Sequence, residues 1–112
     1  MAEDGFRLLV KKIPASIGGG YMALVADSDV VGHSEEDIGR GLAIRVPREL
    51  EKGRLVGEKD VLKVLEDPRV VSILLYGSRA VSVAVGAGYI HRESVLNIRG
   101  LEHAIVYKFT LG

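Results

Sequence analysis

Residues 70–88 read VVSILLYGSRAVSVAVGAG, and the point at which this run divides decides the fold. Val70 to Leu75 is apolar on both faces, as a strand covered on each side requires. Gly77 and Ser78 break the run. Beyond them Val81, Val83 and Val85 alternate as a strand would. Yet Ser78 is a good helix N-cap, Ala80, Ala84 and Ala87 are helix formers, and Gly88 is a natural stop. The stretch therefore reads as a buried strand, a glycine turn and a helix over 78–87. Arg79 near its middle also excludes a membrane span, because an arginine at the bilayer centre costs about 2.5–3.5 kcal/mol.

Working outward, residues 58–67 predict a second helix. Glu58 and Asp60 stand early, where the helix dipole favours acids, Val61, Leu62 and Leu65 form an apolar stripe, and Pro68 ends it. Residues 6–13 read as a strand ended by Pro14. Three glycines at 18–20 make a turn, and 21–26 resumes as a second strand. Asp27-Ser28-Asp29 is turn chemistry, and Val30-Val31 reads as a short strand before Gly32. Residues 42–46 alternate like a half-exposed strand; 95–98 and 104–111 close the chain as strands. The expected fold class is α+β: a mixed sheet with two helices packed on it. The order is β-β-β-α-β-α-β-β, with one βαβ crossover over about 70–98.

A chain of 112 residues is one domain, 1–112. At 47% hydrophobic and 27% charged it matches an average globular protein. Fifteen basic residues balance fifteen acids, which argues against a strongly basic nucleic-acid clamp. The absence of cysteine excludes disulfides, thiolate metal sites and a cysteine nucleophile. Gln is absent, Asn occurs once, and the apolar residues are rich in Val and Ile, a composition that suggests a thermophile. The acidic N-terminus carries no signal peptide, so a cytoplasmic location is expected.

Neutrality overall conceals local segregation. Residues 27–37 hold five acids and no Lys or Arg, whereas 40–54 hold five basic residues against two acids. Solvated faces are the plain reading of both runs. The sharper one makes Arg40, Arg45, Arg48, Lys52 and Arg54 a contact edge for a structured RNA backbone. With six aromatics in the chain, a base-stacking platform is thin.

The best-motivated ligand site is Gly77-Ser78-Arg79. The first amides of a helix lack partners within it and carry partial positive charge. Glycine allows close backbone approach, and arginine adds a planar donor fork for phosphate or carboxylate. Arg99 and Gly100, with His103 as an acid or base, sit between the last two predicted strands and could join it. The plainer alternatives are an ordinary helix cap and a loop histidine bonded to backbone. No phosphate-loop motif, GxSxG elbow or SxxK pair occurs, and His33, His91 and His103 lack metal-ligand spacing, so neither a cofactor nor a metal is expected.

LYGSRAVSVAVGAGYI followed by VLNIRGLEHA resembles the archaeal family known as domain of unknown function 424. The matching positions include Gly77, Arg79, Ala80, Gly88, Gly100, His103 and Ala104, and the resemblance spans about residues 6–108. Ser78 stands where the family tends to have an acid, and Glu102 where it tends to have Pro. The resemblance implies an archaeal cytosolic domain and supports the helix after Gly77; it implies no mechanism. Three functions are open at this point. The first is a binding module for RNA or a ribonucleoprotein. The second is a small enzyme or binding protein for a phosphorylated or carboxylated metabolite, using Arg79 and His103. The third is a subunit that pairs with itself through an edge strand, 6–13 or 104–111.

Overall fold

The computed structural model describes residues 5–108. Its centre is a parallel pair, β2 (Tyr21–Asp27) and β6 (Val70–Tyr76), with Leu24 opposite Leu74 and Ala26 opposite Tyr76. Antiparallel strands extend the sheet on both sides. On one side stand β1 (Phe6–Lys12) and β5 (Arg54–Val56); on the other stand β8 (Leu101–Tyr107) and β7 (Leu96–Ile98). The order across the sheet is β5-β1-β2-β6-β8-β7.

Side chains alternate across a strand, so the apolar run in β6 feeds two cores. Ile73 and Leu75 join Phe6, Leu8, Ala23 and Val25 on one face. There α1 (Glu58–Glu66) adds Val61 and Leu65, and α2 (Ser78–Gly86) adds Ala80, Val81 and Ala84. Tyr76 joins Leu24, Ala26, Ile98 and Leu101 on the other face. A hairpin of β3 (Ser34–Asp37) and β4 (Leu42–Arg45), with the 3-10 turn Arg48–Lys52, covers that face through Ile44, Val46 and Leu50. Fully burying one such side chain contributes about 1.5–3 kcal/mol.

The α+β class, the mixed sheet and both helices agree with the sequence. The crossover over 70–98 exists as β6–α2–β7, whose two strands run parallel with β8 inserted between them. Several local expectations require correction. Residues 28–30 form a 3-10 turn instead of a strand at Val30-Val31. The polar run after His33 contains β3, which pairs along its length with β4. Three-residue β5 was not expected at all; it is tied to β1 by Phe6 opposite Val56. The last strand starts at Leu101 rather than Ala104, and residues 109–111 of that expectation lie outside the described residues. Arg99 and Gly100, both at positive φ, make a two-residue turn between β7 and β8.

The C-terminal end of α1 is held from a distance. Lys108 Nζ donates to the carbonyls of Asp67 at 2.9 Å and Val64 at 3.4 Å. A cation there also opposes the negative end of the helix dipole. Replacing Lys108 with Met should therefore lower unfolding free energy by about 1 kcal/mol. Urea denaturation tests this, and an unchanged midpoint would show that the contact contributes nothing.

Candidate functional site

Where the chain leaves β2 it passes to the hairpin face; where it leaves β6 it passes to the helix face. Neighbouring parallel strands whose connections diverge leave a crevice at their C-terminal ends, the usual ligand position in open α/β sheets. Here the chain fills that crevice itself. Asp27, the last residue of β2, is 4% exposed. Its Oδ1 accepts the Ala80 amide at 2.8 Å and its Oδ2 the Arg79 amide at 3.1 Å. The anion expected at the start of α2 is thus supplied from 52 residues upstream. Gly77, not Ser78, is the N-cap, with φ +100° and its amide bonded to the Glu102 carbonyl at 2.8 Å. A Cβ on Gly77 would collide with the Asp27 carboxylate, so both the conformation and the space require glycine. Burial pushes the Asp27 carboxyl above its ordinary 3.8, while the two amides and Arg79 pull the other way.

With its amide committed to Asp27, Arg79 directs its side chain back across the N-terminal strand. Nη2 donates to the Gly5 carbonyl at 2.7 Å, and Cζ lies 4.9 Å from the centre of the Phe6 ring. No hydrogen bond engages Nε or Nη1 among the described residues, and the side chain remains exposed. It borders an open groove of about 1170 Å³ between α1 and α2. Lys59, Ser78 and Ser82 add polar groups to this groove, and Phe6, Leu62 and Val83 make its apolar surface. Glu58 and Asp60 also line it; Asp60 Oδ2 is engaged by the Gly57 amide at 3.3 Å.

The remaining sequence candidates are scattered. His103 lies in β8, not in a loop, and stacks on Tyr76 with centroids 4.4 Å apart. Its Nδ1 donates to the Leu75 carbonyl at 2.9 Å, and burial lowers its pKa below the usual 6.5, so the ring is neutral near pH 7. Tyr76 belongs to the hairpin-side core and Phe6 to the helix-side core. His103 and Arg79 therefore stand on opposite faces of the sheet and share no pocket. Arg99 and Gly100 border a pocket of about 200 Å³ with His33 and Glu35, apart from Ser78 and Arg79.

The basic residues are divided as well. Arg45 pairs with Glu36 at 3.4 Å and Arg40 with Asp37 at 3.7 Å, so two of the five basic residues meet acids of the preceding run across one hairpin. Arg48 and Lys52 stand on the 3-10 turn. Arg54 is opposite Leu8, whose side chain joins the helix-side core, so it faces away from the hairpin. The edges are also partly closed: β5 pairs with Phe6–Leu8 and β7 with Leu101–His103. Where β1 runs on beyond β5 it carries Lys11 and Lys12, charges that discourage pairing with another copy.

A polar anchor in the crevice, an open groove beside it and helices on one face of a mixed sheet define a small α+β protein with a ligand-sized depression. The chain belongs to the family described as Protein of unknown function (DUF424), whose pattern matches residues 16–109. No curated protein matches it. Among solved structures it is similar to the crystal structure of an uncharacterized conserved protein from the archaeon Methanopyrus kandleri. That similarity has a TM-score of 0.64 and 16% identity, and covers 96% of each chain. The shared feature is the fold.

Sequence reasoning placed Arg79 and Ser78 at a ligand site but missed Asp27, Lys59 and Ser82. Asp27 carries no spacing signal toward residue 79; only the β2–β6 pairing reveals it. Asp27→Ala should lower stability by about 2 kcal/mol, since it leaves two amides without their acceptor. The pH dependence separates Asp27 from Asp67. The folded Asp27 binds its proton more tightly than the unfolded chain does, so its contribution falls as pH rises from 3.8 through the raised value. Arg69 holds the Asp67 carboxyl down at about 2, so that contribution is lost as pH falls from 3.8 toward 2. In urea denaturation across pH 2–6, Asp27→Asn should remove only the upper dependence; loss of the lower one instead would contradict the assignment.

Proposed function

We propose that the protein is a non-catalytic binding module whose groove between α1 and α2 takes a small ligand bearing a phosphate or carboxylate. The observation that carries this is Arg79: one donor anchors it to Gly5, and the rest of its fork borders the groove between α1 and α2. Guanidinium forks match phosphate and carboxylate oxygens, and Lys59, Ser78 and Ser82 supply further donors. The Arg79 and Ala80 amides play no part, because Asp27 holds them. An archaeal, cytosolic and thermophilic setting is part of this proposal. A structured-RNA partner is the second possibility, but its support is thinner where Arg40 and Arg45 are already paired and Arg54 faces elsewhere.

Two-dimensional NMR of labelled protein distinguishes the two. Inorganic phosphate should shift the amides of residues 57–62 and 78–87. Arg79→Lys should weaken that binding about tenfold by removing the fork while keeping the charge. Glu58→Gln should strengthen it by removing a like charge from the groove. Shifts at Arg40, Arg45 and Arg48 with an RNA hairpin, with none in the groove on adding phosphate, would overturn the proposal.

A further inference from the structure

On the reading just given, we propose that the groove's ligand is an amphipathic anion, with its charged head at Arg79 and an apolar tail ending at Gly86. The groove changes character along α2. Ser78 and Arg79 stand at its N-terminal end, with Lys59 between Glu58 and Asp60 on the α1 side. Val83, Gly86 and Ala87 follow toward its C-terminal end, with Leu62 contributed by α1. Leu62 and Val83 are only half-buried against the core, so part of each side chain remains available to a ligand.

The distance along the helix sets the length of such a ligand. Eight residues at 1.5 Å each separate Ser78 from Gly86, about 12 Å. A lone phosphate would leave most of a groove of about 1170 Å³ unfilled. Sites of some hundreds of cubic ångströms ordinarily hold organic ligands with a few polar contacts and a mainly apolar lining.

Gly86 is the informative position. It is exposed, its φ is not in the left-handed region, and a Cβ there would meet nothing within 4 Å. Neither backbone conformation nor packing requires glycine, which is a poor helix former. The helix stop falls to Gly88 at φ +83°, not to Gly86. What the missing side chain does provide is open room at the far end of the groove. Gly86 thus acts as the residue that limits tail length.

The experiment compares tailed and tailless probes by NMR titration: octanoate against acetate, and adenosine monophosphate against inorganic phosphate. In the unaltered protein at least one tailed probe should bind tenfold or more tightly than its head alone. Octanoate exceeding acetate identifies a hydrocarbon tail; the nucleotide exceeding phosphate identifies a ring. Gly86→Leu should bring the tailed probe to the affinity of its head and leave the head unchanged, whereas Gly86→Ala should keep tailed binding within about threefold. The position is open to solvent, and thermal unfolding confirms that each variant is folded. Equal binding of tailed and tailless probes, or no effect of Gly86→Leu, would overturn the amphipathic assignment while leaving the groove as an anion site. Failure of all four probes to bind would overturn the groove itself.

Discussion

The carboxylate of Asp27 joins the end of β2 to the start of α2, and the rest of the helix side is arranged around that junction. Two bonds from a charged acceptor, at 2.8 and 3.1 Å, hold the first turn of the helix against the sheet. Hydrogen bonds involving a charged group contribute about 1.5–3 kcal/mol each, offset here by taking the carboxylate out of water. Gly77 must be glycine because the carboxylate occupies the space a side chain would need. Arg79 follows from the same junction: with its amide engaged by Asp27, its guanidinium reaches Gly5 and the Phe6 ring and borders the groove. Removing the carboxylate would therefore disturb the helix, the arginine and the groove together.

The two helices are capped by opposite charges from remote parts of the chain. Asp27 serves the N-terminal end of α2, and Lys108, just after β8, serves the C-terminal end of α1. Each charge opposes the partial charge of the helix end it meets. Since neither cap is local in sequence, each forms only when distant strands are in place, which ties helix formation to sheet assembly. Charge pairing also appears on the opposite face, where Glu36 of β3 meets Arg45 of β4 and Asp37 meets Arg40 of the connecting turn. A segregated charge pattern that suggests two separate surfaces in the sequence is partly brought together in one hairpin of the fold.

Much of the architecture is legible from apolar periodicity. The division at Gly77, both helices and the long strands depend on local patterning that burial enforces. The elements that escaped are short or charged. Three-residue β5 has almost no pattern of its own, and β3 is made of Ser, Glu, Glu and Asp, whose strand geometry comes from pairing with β4. The site was legible in part for the same reason. Arg79 beside a helix start signals an anion, but the identity of that anion depends on which strands are neighbours. Parallel pairing of β2 with β6, separated by some forty residues, decides it. By sequence distance the nearest partners for Arg79 are on its own helix, while the actual ones are Gly5, Phe6 and Asp27.

The most direct measurement is an NMR pH titration that follows the Asp27 side-chain carboxyl carbon together with the Arg79 and Ala80 amide protons. One shared transition above pH 3.8, unaltered by added phosphate, is the result expected of a carboxylate that ionises inside the crevice while holding both amides. If Asp27 titrates at the ordinary value without moving those amides, or if phosphate displaces them, the helix start is open to outside anions and the internal cap does not organise this fold.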